Sequence, residues 1–110
     1  MEERGAARFR PVIPVTVAIE RDRERQHFGV IADISESGAC VWTDAVFGVG
    51  EALVVGLASP RADASLHVVG KVVWSKPETQ EQDTIRYGLQ WHALEERQQA
   101  QLRDLIARSH

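Results

Sequence analysis

Apolar residues occur in short runs that alternate with polar turns along most of the chain. Runs rich in Val and Ile, bounded by Gly, Pro, Asp or Ser, are typical of β-strands. The pattern predicts strands within residues 11–19, 28–34, 38–44, 51–58, 65–75 and 84–92. Short strands at regular spacing with turn signals between them predict an antiparallel barrel or sandwich.

The last segment has a different period. Residues 93–108 contain no Gly or Pro. Glu95 and Glu96 lie in the first turn and Arg103 and Arg108 near the end, which complements a helix dipole. Four apolar residues fall on one helical stripe: Leu94, Leu102, Leu105 and Ile106. We therefore expect a mainly β fold with one C-terminal helix that covers part of the barrel or sandwich.

Length and composition narrow the class of protein. A chain of 110 residues with 44% hydrophobic residues fits one domain with a real core. We expect a flexible, charged arm over residues 1–10, a β part over 11–92 and a helix over 93–108. The net charge of −3 argues against the broad basic surface that non-specific nucleic-acid binding needs, although it is compatible with a local basic patch.

The cellular compartment is predicted from what the chain lacks. One cysteine, Cys40, excludes an internal disulfide and a Cys-rich zinc site. The first residues have no apolar segment of signal-peptide length, and no run approaches the roughly 20 apolar residues of a membrane span. These features predict a cytoplasmic protein.

Catalytic and metal sites find little support in the sequence. Asp33 and Ser35 would share one face of a continuing strand, and no G-x-S-x-G nucleophile motif is present. The four histidines, His27, His67, His92 and His110, lack the spacing of metal ligands. Ordinary surface or strand positions are the better interpretation for them.

The aromatic residues and the cysteine are best interpreted as structural. Trp74 and Trp91 alternate with apolar residues, which predicts that both point inward. Trp42 is predicted to point outward and to pack under the helix. Cys40 has no activating neighbour in sequence, which favours a structural thiol.

Two short motifs, each common by itself, become informative when they occur together and in this order. R-G-A-A-R at 4–8 matches R-x-x-x-R, and D-I-S-E-S-G at 33–38 matches [D/N]-x-S-x-x-G. An arginine arm, a first strand and this turn at the end of the second strand resemble the PilZ domain family. G-K-V-V-W at 70–74 and Y-G-L-Q-W at 87–91 are similar to the late strands of that family.

The resemblance covers essentially the whole chain and implies a fold and a function. The implied fold is a six-stranded antiparallel β-barrel with a C-terminal α-helix. The implied function is that of a non-enzymatic receptor, without a cofactor, that binds cyclic di-GMP and passes the signal to a downstream protein partner. The ligand-binding residues implied by the two motifs are Arg4, Arg8, Asp33, Ser35 and Gly38.

The chemistry of these residue types agrees with that implication. The planar arginine fork binds phosphate oxygens or guanine, and a carboxylate accepts hydrogen bonds from base N–H groups. Strand alternation predicts that the Ile34 side chain points into the barrel and the Asp33 side chain points to the other face. Gly5 stands where many family members carry a further arginine, so this arm has less positive charge.

Two other functions remain open from the sequence. One is a PilZ-like adaptor that binds a partner protein without the nucleotide. The other is an unrelated small barrel that binds single-stranded nucleic acid, against which the acidic balance argues.

Overall fold

Residues 10–11, 15–20, 26–60, 65–77 and 84–108 are described in a computed structural model of the chain. Within them the strands are β1 (Thr16–Glu20), β2 (Gln26–Ile34), β3 (Gly38–Thr43), β4 (Ala52–Ala58), β5 (Leu66–Pro77) and β6 (Ile85–His92), followed by helix α1 (Glu96–Arg108). The strands close into an antiparallel barrel in the order β1-β2-β3-β6-β5-β4. The mainly β fold, the six-stranded antiparallel barrel implied by the family resemblance and the C-terminal helix are confirmed.

The barrel core consists of the inward residues of each strand, as strand alternation requires. The most deeply buried of them include Val17, Ile19, Val41, Leu53, Val55, Leu57, Val68, Val72 and Tyr87. Helix α1 packs mainly on β5 and adds Leu102, Leu105 and Ile106 to this core. The helix begins at Glu96, later than predicted, because Ala93 has a left-handed φ of 53° that interrupts helical geometry.

A β-bulge in β5 overturns the prediction for Trp74. Val72 lies opposite Leu89 in β6, but Trp74 lies opposite the next residue along, Gly88. One extra residue, Val73, is therefore inserted between them, and the alternation of inward and outward side chains is shifted by one. Trp74 consequently points outward and is 40% exposed, whereas simple alternation with Val72 had predicted a core position.

A second bulge lies in β2 and acts on Asp33. Ile31 pairs with Val41 and Asp33 with Cys40, so one residue of β2 has no counterpart in β3. Ile31 and Ile34 are both buried, and Asp33 between them is partly exposed. The bulge turns the carboxylate outward at a position that uninterrupted alternation from Ile31 would place in the core.

The other two tryptophans point in the predicted directions. Trp91 is buried, and Trp42 points outward with 38% of its surface exposed. Trp42 is not covered by the helix, because α1 packs mainly on β5 and β6 separates that strand from β3. Cys40 is buried.

Candidate functional site

The turn D-I-S-E-S-G connects β2 to β3 and is held by its own serine. The Ser35 Oγ accepts hydrogen bonds from the backbone N–H groups of Ser37 (3.2 Å) and Gly38 (3.3 Å), and it lies 3.0 Å from the Ser37 hydroxyl. Ser35 is fully buried because β2 ends at Ile34 and the chain turns there, so Ser35 does not continue on the face of Asp33. Its side chain stabilises the turn from within.

Gly38 is placed where two strands approach very closely. It pairs with Gln90 of β6, and a Cβ at this position would lie 2.0 Å from the backbone oxygen of Leu89. Its φ is not in the left-handed region, which among the described glycines is adopted by Gly50. Glycine is therefore needed at position 38 for strand contact rather than for a special backbone angle.

The turn is also anchored to the rest of the barrel. The backbone N–H of Trp91 donates to the Ser37 carbonyl at 2.9 Å, and the Trp91 indole N–H donates to the Ser35 carbonyl at 3.1 Å. On the outside, Arg103 of α1 forms an exposed ion pair with Glu36 at 3.4 Å. The turn is thus connected to both β6 and the helix.

Asp33 belongs to a row of paired positions that crosses four strands; the two middle residues of the row are buried and the two end residues are not. Asp33 is opposite Cys40, Cys40 is opposite Gly88, and Gly88 is opposite Trp74. With strands about 4.8 Å apart, the row spans about 14 Å from β2 to β5. We call it the outer row; a carboxylate lies at one end and an indole at the other.

The missing side chain of Gly88 decides where the indole of Trp74 lies. A Cβ on Gly88 would be 2.1 Å from the Trp74 Nε1, so the ring rests directly against the Gly88 backbone. The guanidinium carbon of Arg86 lies 5.9 Å from the centre of the same ring, within cation–π range. Arg86 itself lies opposite Lys76 of β5. Positive charge is therefore concentrated beside the indole end of the outer row.

The sequence motifs account for only part of this arrangement. Asp33, Ser35 and Gly38 lie together at the turn, because all three belong to the same stretch of six consecutive residues. Trp74 and Arg86 were not predicted as site residues. For Trp74 no local signal exists, because only the bulge turns it outward; for Arg86, its alternation with buried Tyr87 places it on the outer face.

The arginine half of the motif pair is not part of this geometry. Arg4 and Arg8, and Gly5 between them, lie outside the residues that the structure describes. Arg10, the first described residue, is exposed.

The described residues contain neither a cluster of metal ligands nor a membrane-spanning helix. No three His, Cys, Asp or Glu side chains of the described ranges are grouped so that they could hold a metal ion. In that part of the chain no helix has the length and apolar character needed to cross a membrane.

Several solved structures share this fold. The PilZ domain with cyclic di-GMP of YcgR from Escherichia coli superposes with a TM-score of 0.77 at 11% identity, covering 98% of this chain and 92% of that one. The inhibitor of motility MotI/DgrA from Bacillus subtilis gives 0.75 at 17% identity, over 98% of this chain and 51% of that one. The PilZ domain of CeSA from a cellulose synthesizing bacterium gives 0.63 at 20% identity, over 92% and 95%.

Sequence comparison assigns the family directly. None of the curated proteins matches the chain in sequence. The family model of the PilZ domain matches residues 2–108, which include both the arginine arm and the turn. With that match over almost its whole length, on a barrel of the same fold, the chain belongs to the PilZ domain family.

Proposed function

We propose that this protein is a cyclic di-GMP receptor that holds the dinucleotide between its arginine arm and the outer row. The observation that carries the proposal is the outward position of Asp33 at one end of the row whose other end is Trp74. A carboxylate, an indole and a guanidinium on one face suit a ligand that contains guanine and phosphate. Membership of a family in which the YcgR domain has been solved with cyclic di-GMP supports it.

Each end of the row offers a different interaction. The Asp33 carboxylate can accept hydrogen bonds from the N–H groups of a guanine edge. The exposed surface of the Trp74 indole can stack on a base, and the neighbouring Arg86 can offset phosphate charge. Ser35 and Gly38 form the turn side of the site. Because the Ser35 hydroxyl is already used within the turn, its main contribution is to the position of Asp33.

The arm supplies the remaining phosphate contacts in this proposal. Arg4 and Arg8 each present a planar fork that can bind phosphate oxygens or guanine. Arranging the arm around the ligand costs conformational entropy, which the charged contacts must exceed. Binding would therefore order the arm, and this change is the signal that a downstream partner protein could recognise.

Isothermal titration of the purified protein with cyclic di-GMP at near-physiological salt tests the proposal. We expect a saturable isotherm in the micromolar range or tighter. Cyclic di-AMP should bind much more weakly, because adenine does not present the N–H donors of the guanine edge to Asp33. A folded protein that releases or absorbs no heat with cyclic di-GMP would refute the proposal.

Replacement of Arg8 tests the arm. Arg8→Ala should weaken cyclic di-GMP binding by about 10- to 30-fold, because a charged hydrogen bond to phosphate is lost. Arg10→Ala is the matched control, since it removes an equal charge outside the motif and should change Kd by no more than about threefold. Equal losses in the two variants would show that the arm acts only through its total charge.

Replacement of Trp74 tests the indole end of the row. Trp74→Ala should weaken binding by roughly 5- to 30-fold, the lower part of the range for loss of one stacked base, because one side of the ring is already covered by Gly88. Phe28→Ala is the control, since Phe28 is also an exposed aromatic residue but lies on β2 opposite Ala18 of β1, outside the outer row. An unchanged Kd in Trp74→Ala would remove the stacking role.

A second candidate function is that of an adaptor that binds a partner protein without the nucleotide. Phe28 is 66% exposed and Val30 lies opposite Trp42, so three large apolar side chains lie on the outer face of β2 and β3. Exposed apolar groups of this size often mark protein contacts. The adaptor function predicts partner binding whose affinity is the same with and without cyclic di-GMP.

A further inference from the structure

We propose that Trp91 is the positioning residue of the D-I-S-E-S-G turn and acts through its indole N–H. The inference rests on the proposed function insofar as the turn carries Asp33 to the ligand. It goes beyond that function because Trp91 is buried and would hold the site in shape without touching the nucleotide.

The strand under the turn makes three contacts with it, through Leu89 and Trp91. The Leu89 carbonyl lies against the Cα of Gly38, the Trp91 backbone N–H donates to the Ser37 carbonyl, and the Trp91 indole N–H donates to the Ser35 carbonyl. The first two contacts belong to the backbones of residues 89 and 91, so any residue other than proline at position 91 would leave them in place. The third, of 3.1 Å, is supplied by a side chain and is therefore specific to tryptophan.

A hydrogen bond to the Ser35 carbonyl can influence the orientation of the Asp33 side chain. Asp33 lies between the bulge of β2 and the turn, where the ladder with β3 is locally irregular. Because the ladder is irregular on the strand side of Asp33, the turn side contributes to how this residue is held. The Ser35 carbonyl, two residues further on, is the point at which the indole N–H holds that side.

The other side-chain anchor of the turn is weaker. The ion pair between Arg103 and Glu36 joins two side chains that are 53% and 54% exposed. Water screens such a pair, so it contributes little. The hydrogen bond of Trp91 is buried, where a carbonyl that loses its donor cannot be satisfied by water at no cost. Trp91 is therefore the dominant side-chain anchor.

The indole has room because its neighbour is a glycine. A Cβ on Gly70 of β5 would be 3.3 Å from the Trp91 Cζ3, so the ring occupies space that Gly70 leaves. Phenylalanine would fill most of this space and keep the aromatic packing. It has no N–H, so Trp91→Phe removes the hydrogen bond with little change in the shape of the core.

The test compares Trp91→Phe with the wild-type protein at a temperature where circular dichroism shows both folded. We expect the Kd for cyclic di-GMP to rise about 5- to 20-fold. Val55→Ala is the control for stability: Val55 lies fully buried in β4, away from the turn, and its truncation should lower the melting temperature while Kd stays within about twofold. If Trp91→Phe binds as tightly as the wild type, the inference is wrong.

A second measurement reports on the turn in the absence of ligand. Hydrogen exchange of the Ser37 and Gly38 amides should become faster in Trp91→Phe, and unchanged exchange would overturn the inference even if affinity fell. If the wild type does not bind cyclic di-GMP, the proposed function fails. In that case the exchange rates still decide whether Trp91 positions the turn.

Discussion

Replacing Asp33 with alanine is expected to weaken cyclic di-GMP binding by roughly 30- to 150-fold, the largest loss of affinity for a single side chain at this site. The carboxylate can accept two hydrogen bonds from one guanine edge, and alanine leaves both base donors without a partner. Titration calorimetry of the folded variant measures the effect. The fold should persist, because Asp33 lies on the outer face of the barrel and is partly exposed.

Asp44→Ala provides the control for the loss of one negative charge. Asp44 is an exposed carboxylate just after β3, outside the outer row. Its removal should leave Kd within about twofold of the wild type, because screening limits the effect of charges that do not contact the ligand. If Asp33→Ala and Asp44→Ala give the same small change, Asp33 is not a ligand contact.

Gly38→Ala is expected to have the largest effect on stability. The new Cβ would lie 2.0 Å from the Leu89 oxygen and 3.2 Å from the Gln90 Cα, and both atoms belong to the backbone of the paired strand. They cannot move aside as a flexible side chain would, so β3 and β6 must separate locally. We expect unfolding free energy to fall by about 3 kcal/mol, which lowers the melting temperature by roughly 10–20 °C.

Gly48→Ala is the matched control for this substitution. Among the described residues, the nearest atom to a new Cβ at Gly48 would be the Glu51 side-chain oxygen at 4.0 Å, so no described backbone obstructs the added methyl. Its melting temperature should remain within a few degrees of the wild type. If Gly38→Ala has the same melting temperature as Gly48→Ala, the strands can accommodate the side chain.

The residues of the turn have two different roles. The buried hydroxyl of Ser35 and the missing side chain of Gly38 are explained by the turn and by its contact with β6. Asp33 is the member of the motif whose side chain has a place on the outer face. A motif of this kind therefore combines residues that build a turn with the residue that the turn presents.

The two bulges act together on the proposed site. They lie in β2 and β5, the strands that flank the adjacent pair β3 and β6. Each shifts the alternation by one residue, and as a result Asp33 and Trp74 both point outward on the same row. Bulges are common where a strand must redirect a functional side chain, and this pair places the two ends of the outer row.

Much of the fold could be predicted from the sequence, because its signals are local. Short apolar runs between turn residues indicated each strand, and the apolar stripe of Leu102, Leu105 and Ile106 indicated the helix. The two motifs indicated the PilZ domain family, which the family match confirms. The start of the helix was misplaced, because alanine at position 93 carries no sign of its left-handed φ.

The position of the site residues depends on contacts between strands, and no local sequence pattern predicts those contacts. The runs around Asp33 and Trp74 have the pattern of uninterrupted strands, and that pattern predicts a core position for Trp74. An extra residue becomes visible only against the partner strand, where Trp74 faces Gly88 and Asp33 faces Cys40. Sequence by itself determined the strands, the helix, the family and, through the family, the barrel. Tertiary structure decided the outward direction of Trp74 and its alignment with Asp33, because register is a property of paired strands.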